Sequence, residues 1–309
     1  MSYPCFLVRA RMLSLVVAGL GLTSLCPASL LIYEGFNYTA GNTLSTIKPN
    51  ASTVGFNTSV AYAGTGVANY TVQASSLSFG ALQTTGGSVS FGTGTSVASG
   101  KLTLASPYTG TLWSSYLVSL TTQGSGAGEG ALLRISSNTA NVGERFNSFA
   151  DSRTNSTNVA VGYDATSTAT GNSLTLLTTY IIISKFTNVG TGLSAGTPGQ
   201  SSTWALTEAQ FANFLLGGAT ESYLNSATIT GTSAGISARG SDASVTTSTY
   251  SLATDSYAAL VSVNDTGTFD ELRYGTTLAD VTPIPEPATV GLVAGIGILL
   301  LAARRKRRA

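Results

Sequence analysis

The chain has 309 residues, enough for one large domain with a sizeable core, and only 9% of them are charged, against roughly 25% in an average soluble protein. No histidine occurs, which removes the usual general base, the commonest metal ligand and Ser-His-Asp catalysis together. The formal charge of +1 is segregated: Arg9 and Arg11 stand near the start, five basic residues stand at 304–308, and the span between them holds eight Lys or Arg against fourteen Asp or Glu, a net −6 without the basic patch a nucleic acid requires.

Residues 1–28 read as a secretory signal peptide. Arg9 and Arg11 form a positive n-region, Met12 to Leu25 an apolar stretch, and Cys26-Pro27-Ala28 a small-residue end with the cut expected after Ala28. Both cysteines, Cys5 and Cys26, fall inside this segment. The mature chain is therefore expected to hold no thiol, which excludes disulfides, thiol catalysis and Cys-ligated metals.

From 29 to 282, short apolar stretches with a period of two alternate with turn-forming clusters such as TTGGS and QGSGAGEG. The run GTGTSVASGK from Gly92 has glycines and a lysine but lacks the G-K-[ST] ending of a phosphate loop, since Leu102 follows Lys101, and it is read as a loop. KLTLAS then places Leu102 and Leu104 on one face. GTLWSSYLVSL sets Leu112, Tyr116, Val118 and Leu120 opposite Trp113, Leu117 and Ser119. NVAVGY groups Val159, Val161 and Tyr163, YIIISKF gives a more continuously apolar run, and YAALVSV and TFDELRYG close the series. Many short strands with this punctuation predict an all-β sandwich or barrel in one domain. One helix is expected, with Thr207 and Gln210 as a capping box, Phe211, Phe214 and Leu215 as its apolar stripe and Gly217-Gly218 as its stop. Thr191 to Ser202 reads as a loop within the domain.

The ending, 283–309, is organised differently. Pro285-Glu286-Pro287 precedes an apolar run from Ala288 to Ala303, and Arg304, Arg305, Lys306, Arg307 and Arg308 follow. At about 1.5 Å per residue the run spans roughly 24 Å, short of a hydrocarbon core of about 30 Å, and long arginines recover part of the deficit by snorkelling. The basic cluster favours the cytoplasmic side, so a transmembrane segment with a stop-transfer end is expected. Pro287 suits a first helical turn, and Glu286 sits well at the positive end of a helix dipole.

In that order, tripeptide, span and basic cluster resemble the PEP-CTERM sorting signal of bacterial surface proteins. The resemblance covers Pro283 to Arg308. It implies recognition by exosortase, a membrane protease-transpeptidase, and a stay in the inner membrane that ends in release to the cell surface or its exopolysaccharide matrix. Two parts of the body also resemble a family. LLIYEGFNYTAGNTLS near the start and FDELRYGTTLADVTP near the end are similar to the first and last strands of concanavalin-A-like, laminin-G-type jelly rolls, in which those strands lie side by side.

A hydrolase on such a fold needs two carboxylates about 5–10 Å apart on one face. The acid triplet E-x-D-x-x-E of the best-known hydrolases of this fold is missing here. The densest acidic pair is Asp270-Glu271, and neighbours on a strand face opposite ways, so both are read as solvated edge charges. Glu129, Glu144 and Asp151 are the remaining acids that could converge. A glycan site would draw on aromatics and planar amides, with Trp113 and Trp204 as the candidate contacts. No cofactor is expected beyond a calcium ion at Asp151, Asp164 or Asp265, for which no EF-hand spacing exists. The sequence thus favours an exported, non-enzymatic structural or adhesive protein, then a carbohydrate-binding module, then a glycoside hydrolase.

Overall fold

The computed structural model describes residues 30–82, 84–122, 131–136, 144–151, 158–163, 166–169, 174–190, 199–226, 238–245, 252 and 256–283. The signal-peptide reading at 1–28 and the tail features from Pro285 to Arg308 lie outside the described residues, as do Glu129 and Asp164. The strands are β1 (Leu30–Glu34), β2 (Tyr70–Gln73), β3 (Ser88–Phe91), β4 (Ser96–Lys101), β5 (Gly110–Thr122), β6 (Ala131–Ser136) and β7 (Glu144–Asp151). They continue with β8 (Asn158–Tyr163), β9 (Thr166–Ala169), β10 (Thr179–Val189), β11 (Gly199–Thr207), β12 (Ala238–Val245), β13 (Tyr257–Ser262) and β14 (Thr266–Gly275).

These strands form two antiparallel sheets. The larger runs β12-β11-β10-β5-β14-β3-β2, with β1 also paired to β14; the smaller runs β4-β13-β6-β7-β8-β9. The all-β sandwich expected from the period-two pattern is what the chain forms. The first and last strands pair directly, Tyr33 opposite Arg273 and Glu34 opposite Leu272, as the jelly-roll resemblance implies. One edge of β14 is shared in sequence: β3 takes Gly267 to Phe269, and β1 takes Leu272 to Gly275.

Alternation on the central strands builds two cores. Leu112, Tyr116, Val118 and Leu120 of β5 and Tyr180, Ile182 and Phe186 of β10 face the smaller sheet, where Leu133, Ile135, Ala258 and Leu260 meet them. On the opposite face, Trp113, Leu117, Ile181, Ile183, Trp204 and Leu206 pack with Phe211 and Phe214 of helix α1 (Glu208–Leu216). Both faces of β10 are thus covered, which is why YIIISKF lacks a clean polar alternation. Each such side chain contributes roughly 1.5–3 kcal/mol on full burial.

Helix α1 begins with the expected capping box. Thr207 Oγ1 accepts from the Gln210 amide at 3.4 Å, the Gln210 side chain accepts from the Thr207 amide at 2.8 Å, and Gly217 caps the other end. Among the described residues two further α-helices, α2 (Glu221–Ser226) and α3 (Leu278–Val281), were not expected from the sequence. The strand expected at TFDELRYG is β14, and α3 follows it within TTLADVTP. The strand stops at Gly275, because the Asp280 carboxylate accepts from the Thr276 and Thr277 amides at 2.8 and 2.7 Å and turns the chain into a helix. A Cβ at Gly275 would fall on the Asp280 side chain, so glycine is required there.

Two loop expectations are also corrected. Within GTGTSVASGK, Ser96 to Lys101 form β4, paired with β13 along its whole length. Small residues serve here because the Phe56 and Tyr62 rings lie against Gly100, where a Cβ would approach both within 3 Å. Of Thr191 to Ser202, Gly199 to Ser202 belong to β11, and 191–198 lie outside the described residues.

Candidate functional site

The tryptophans singled out from the sequence are core residues. Trp113 is 5% exposed and Trp204 0%, with their rings stacked at 6.2 Å and 21° under α1. Lys185, opposite Trp113 on β10, holds its ammonium 5.4 Å from the Trp113 ring and pairs with Glu221 at 2.6 Å. As candidate glycan contacts both tryptophans are therefore corrected: period-two spacing put them on the outer face of the sheet, and the helices cover that face.

The acids are corrected too. Asp270 and Glu271 are 0% and 1% exposed, so they are not solvated edge charges. Glu271 adopts φ +52° at a bulge between Asp270 and Arg273, which breaks the simple alternation. Asp270 reaches the 76–77 segment, accepting from the Ser76 hydroxyl and from the Leu77 amide at 2.7 Å. Its carboxyl is pushed up to about 8, chiefly by burial. Glu271 accepts from the Thr85 amide at 2.5 Å and the Tyr33 hydroxyl at 3.2 Å, and pairs with Arg273, whose guanidinium lies 4.8 Å from the Tyr33 ring centre. Burial also pushes the Tyr33 phenol up, to about 12.

Asp265 is fully buried, Asp151 lies on β7 with its side chain outside the described residues, and Asp164 is not described. Among the described residues no three Asp, Glu, Cys or His are grouped to hold a metal.

What the sequence reading missed lies just after β1. The residues Asn37, Tyr38, Thr39, Asn42, Ile47 and Asn50 line an open groove of about 510 Å3. Asn37, Thr39 and Asn42 are exposed, Tyr38 is half-buried, and Ile47 forms a buried apolar floor. The loop is held in shape by Asn50 Nδ2, which donates to the Asn37 carbonyl at 2.8 Å, and by backbone bonds Gly41 to Val72 and Val72 to Asn42, both 2.9 Å. The side-chain amides of Asn37 and Asn42 make no hydrogen bond to other described residues. Each offers an acceptor and two donors to the groove.

Beneath it lies Glu34, 1% exposed. Its Oε1 accepts from the Phe36 amide at 2.6 Å; its Oε2 accepts from the Tyr38 hydroxyl at 2.6 Å and from the Tyr62 hydroxyl. Phe36 takes φ +51°, an uncommon conformation for a side chain of this size, in the residue whose amide bonds the carboxylate. Tyr38 and Tyr62 meet edge to face at 6.4 Å. Burial pushes Glu34 up to about 7 in spite of the three donors, and burial together with the Glu34 charge raises both phenols. In the sequence, Asn37 lies within LLIYEGFNYTAGNTLS and carries no signal of its own. A second groove of about 460 Å3, lined by Leu31, Val54, Leu104, Pro107 and Tyr108 among others, has neither a side-chain amide nor a carboxylate.

No protein-family model and no curated protein matches the chain. Solved structures similar to it include the globular domain of calreticulin from T. cruzi, at 10% identity over 90% of this chain and 100% of that one, with a TM-score of 0.42. The alginate lyase Aly36B is similar at 14% identity over 80% and 97%, TM-score 0.39. The exoplasmic/lumenal domain of VIP36, in a form bound to Ca2+ and Man3GlcNAc, is similar at 8% identity over 64% and 81%, TM-score 0.36. The sandwich itself rests on the strand pairing of this chain, in which the first and last strands close side by side.

Proposed function

We propose that this chain is an exported adhesive protein of the bacterial surface or exopolysaccharide matrix, and that its groove at Asn37–Asn50 binds glycan. The observation that carries the binding reading is the lining of that groove. Two exposed amides with unspent donors and acceptors flank a half-buried tyrosine over an apolar floor. Sugars present that same mixture of hydroxyls and apolar C–H faces, and a tyrosine serves both. Asn42→Ala is expected to weaken polysaccharide binding roughly fivefold to tenfold through lost hydrogen bonds, with the unfolding midpoint unchanged. Immobilised polysaccharides of neutral, acidic and amino-sugar type test this with the full chain in mild detergent. Equal retention of wild type and Asn42→Ala would contradict the assignment.

Delivery rests on the two termini. A signal peptide at 1–28 exports the chain, the apolar run 288–303 anchors it for a time in the inner membrane, and Arg304 to Arg308 stay on the cytoplasmic side. Pro285-Glu286-Pro287 then serves as the address read by an exosortase-type enzyme. Mass spectrometry of protein shed from the cell surface is expected to find C-termini near residues 285–287. An intact Arg304–Arg308 end on surface protein would reduce the tail to a plain anchor.

A further inference from the structure

Glu34 is buried among three hydrogen-bond donors, and among the described residues no cation bonds to it. Of the charged and titratable groups around it, Tyr38 and Tyr62 donate to it, and Glu271 acts on it through space from β14. The guanidinium of Arg273, which lies opposite Tyr33 on β14, is engaged by Glu271, and Tyr33 bonds to Glu271 as well. A carboxylate in that setting is costly to ionise, since neighbouring charge repels it and water is shut out. Of the three residues that donate to Glu34, one is partly exposed. Phe36 and Tyr62 are buried at 1% and 6% exposure, whereas Tyr38 is half-buried and is itself a wall of the groove. Tyr38 rides on an exposed loop between two left-handed residues, Phe36 and Gly41.

We propose that Tyr38 is a pH-operated gate: it closes over the protonated Glu34 carboxyl and swings out once Glu34 ionises, which dismantles the groove wall and weakens glycan binding. The inference rests on the glycan reading for its last clause only; the gate itself is a property of Glu34 and Tyr38. Linkage fixes the sign. Burial holds Glu34 at about 7 when closed, above the ordinary carboxyl value of 4.5 to which hydration returns it, so the open form binds fewer protons and gains as pH rises between those values. Above the closed value the effect levels off.

Hydrogen–deuterium exchange of the full chain in mild detergent, read on the peptide spanning Glu34 to Asn42 and corrected for intrinsic rates, tests the gate without any ligand. Local opening is expected to rise tens of fold from pH 5 to pH 7 in the wild type. It should be flat in Glu34→Gln, which keeps the size and an acceptor but cannot ionise. Tyr38→Phe keeps the ring, removes one donor to the ionised form, and should move the midpoint to higher pH. Corrected exchange that does not change with pH in the wild type overturns the gate, and so does an equal slope in Glu34→Gln. Binding of a retained polysaccharide should be weaker at pH 8 than at pH 5. A pH-dependent opening with no polysaccharide bound at either pH supports the gate and overturns the glycan reading alone.

Discussion

Arg273→Ala is expected to lose about 3–5 kcal/mol of folding stability, read as a fall in the urea midpoint at neutral pH. Arg273 is 6% exposed and its guanidinium pairs with Glu271, which is 1% exposed. Alanine would leave that carboxylate buried with its charge uncompensated and would strip the cation lying over the Tyr33 ring. The loss would reach beyond one pair, since Glu271 also anchors Thr85 and Tyr33 and so ties the 85 turn to the pairing of first and last strands. Replacing both members, Glu271→Gln with Arg273→Met, should be less damaging than Arg273→Ala alone, because no unpaired charge remains. A loss below about 1 kcal/mol in the single variant would mean the pair is screened like a surface salt bridge.

Trp204→Ala should cost a similar amount, about 3–5 kcal/mol, through the cavity it leaves. Trp204 is fully buried, stacks on Trp113 and belongs to the core that holds Phe211 and Phe214 of α1 against the sheet. Polysaccharide retention, measured per folded molecule below the unfolding midpoint, should be unaltered. A variant with normal stability and lost retention would return Trp204 to the role of a sugar contact and contradict the burial described here.

The strands of the central sheet were legible because a half-covered or fully covered surface imposes a period of two, and the opposed faces of Leu112 and Trp113 were read as they are built. Helix α1 was legible through its capping box, a local signal within four residues. What was not legible depends on contacts far apart in sequence. Nothing local in SVASGK marks a strand; its small residues make sense only once the Phe56 and Tyr62 rings lie against Gly100. The same holds for the acids. Glu34, Asp270 and Glu271 look like ordinary surface charges until β1 pairs with β14, the 76–85 segment supplies donors to Asp270 and Glu271, and Phe36, Tyr38 and Tyr62 supply them to Glu34. Likewise, alternation could not say that the outer face at Trp113 and Trp204 would be covered by helices. The groove residues Asn37, Tyr38, Asn42 and Asn50 carry no periodic signal, since they come from a turn and a loop joined by the Asn50 side-chain amide and held by backbone bonds to Val72.

The most direct test of the binding assignment is an exchange footprint of the full chain with and without whichever polysaccharide retains it. Added protection is expected in peptides covering Asn37 to Asn50, with the Tyr38 segment most affected. Protection centred instead on residues 103–109 around the second groove, or no protection anywhere while binding persists, would contradict a glycan site at Asn37–Asn50.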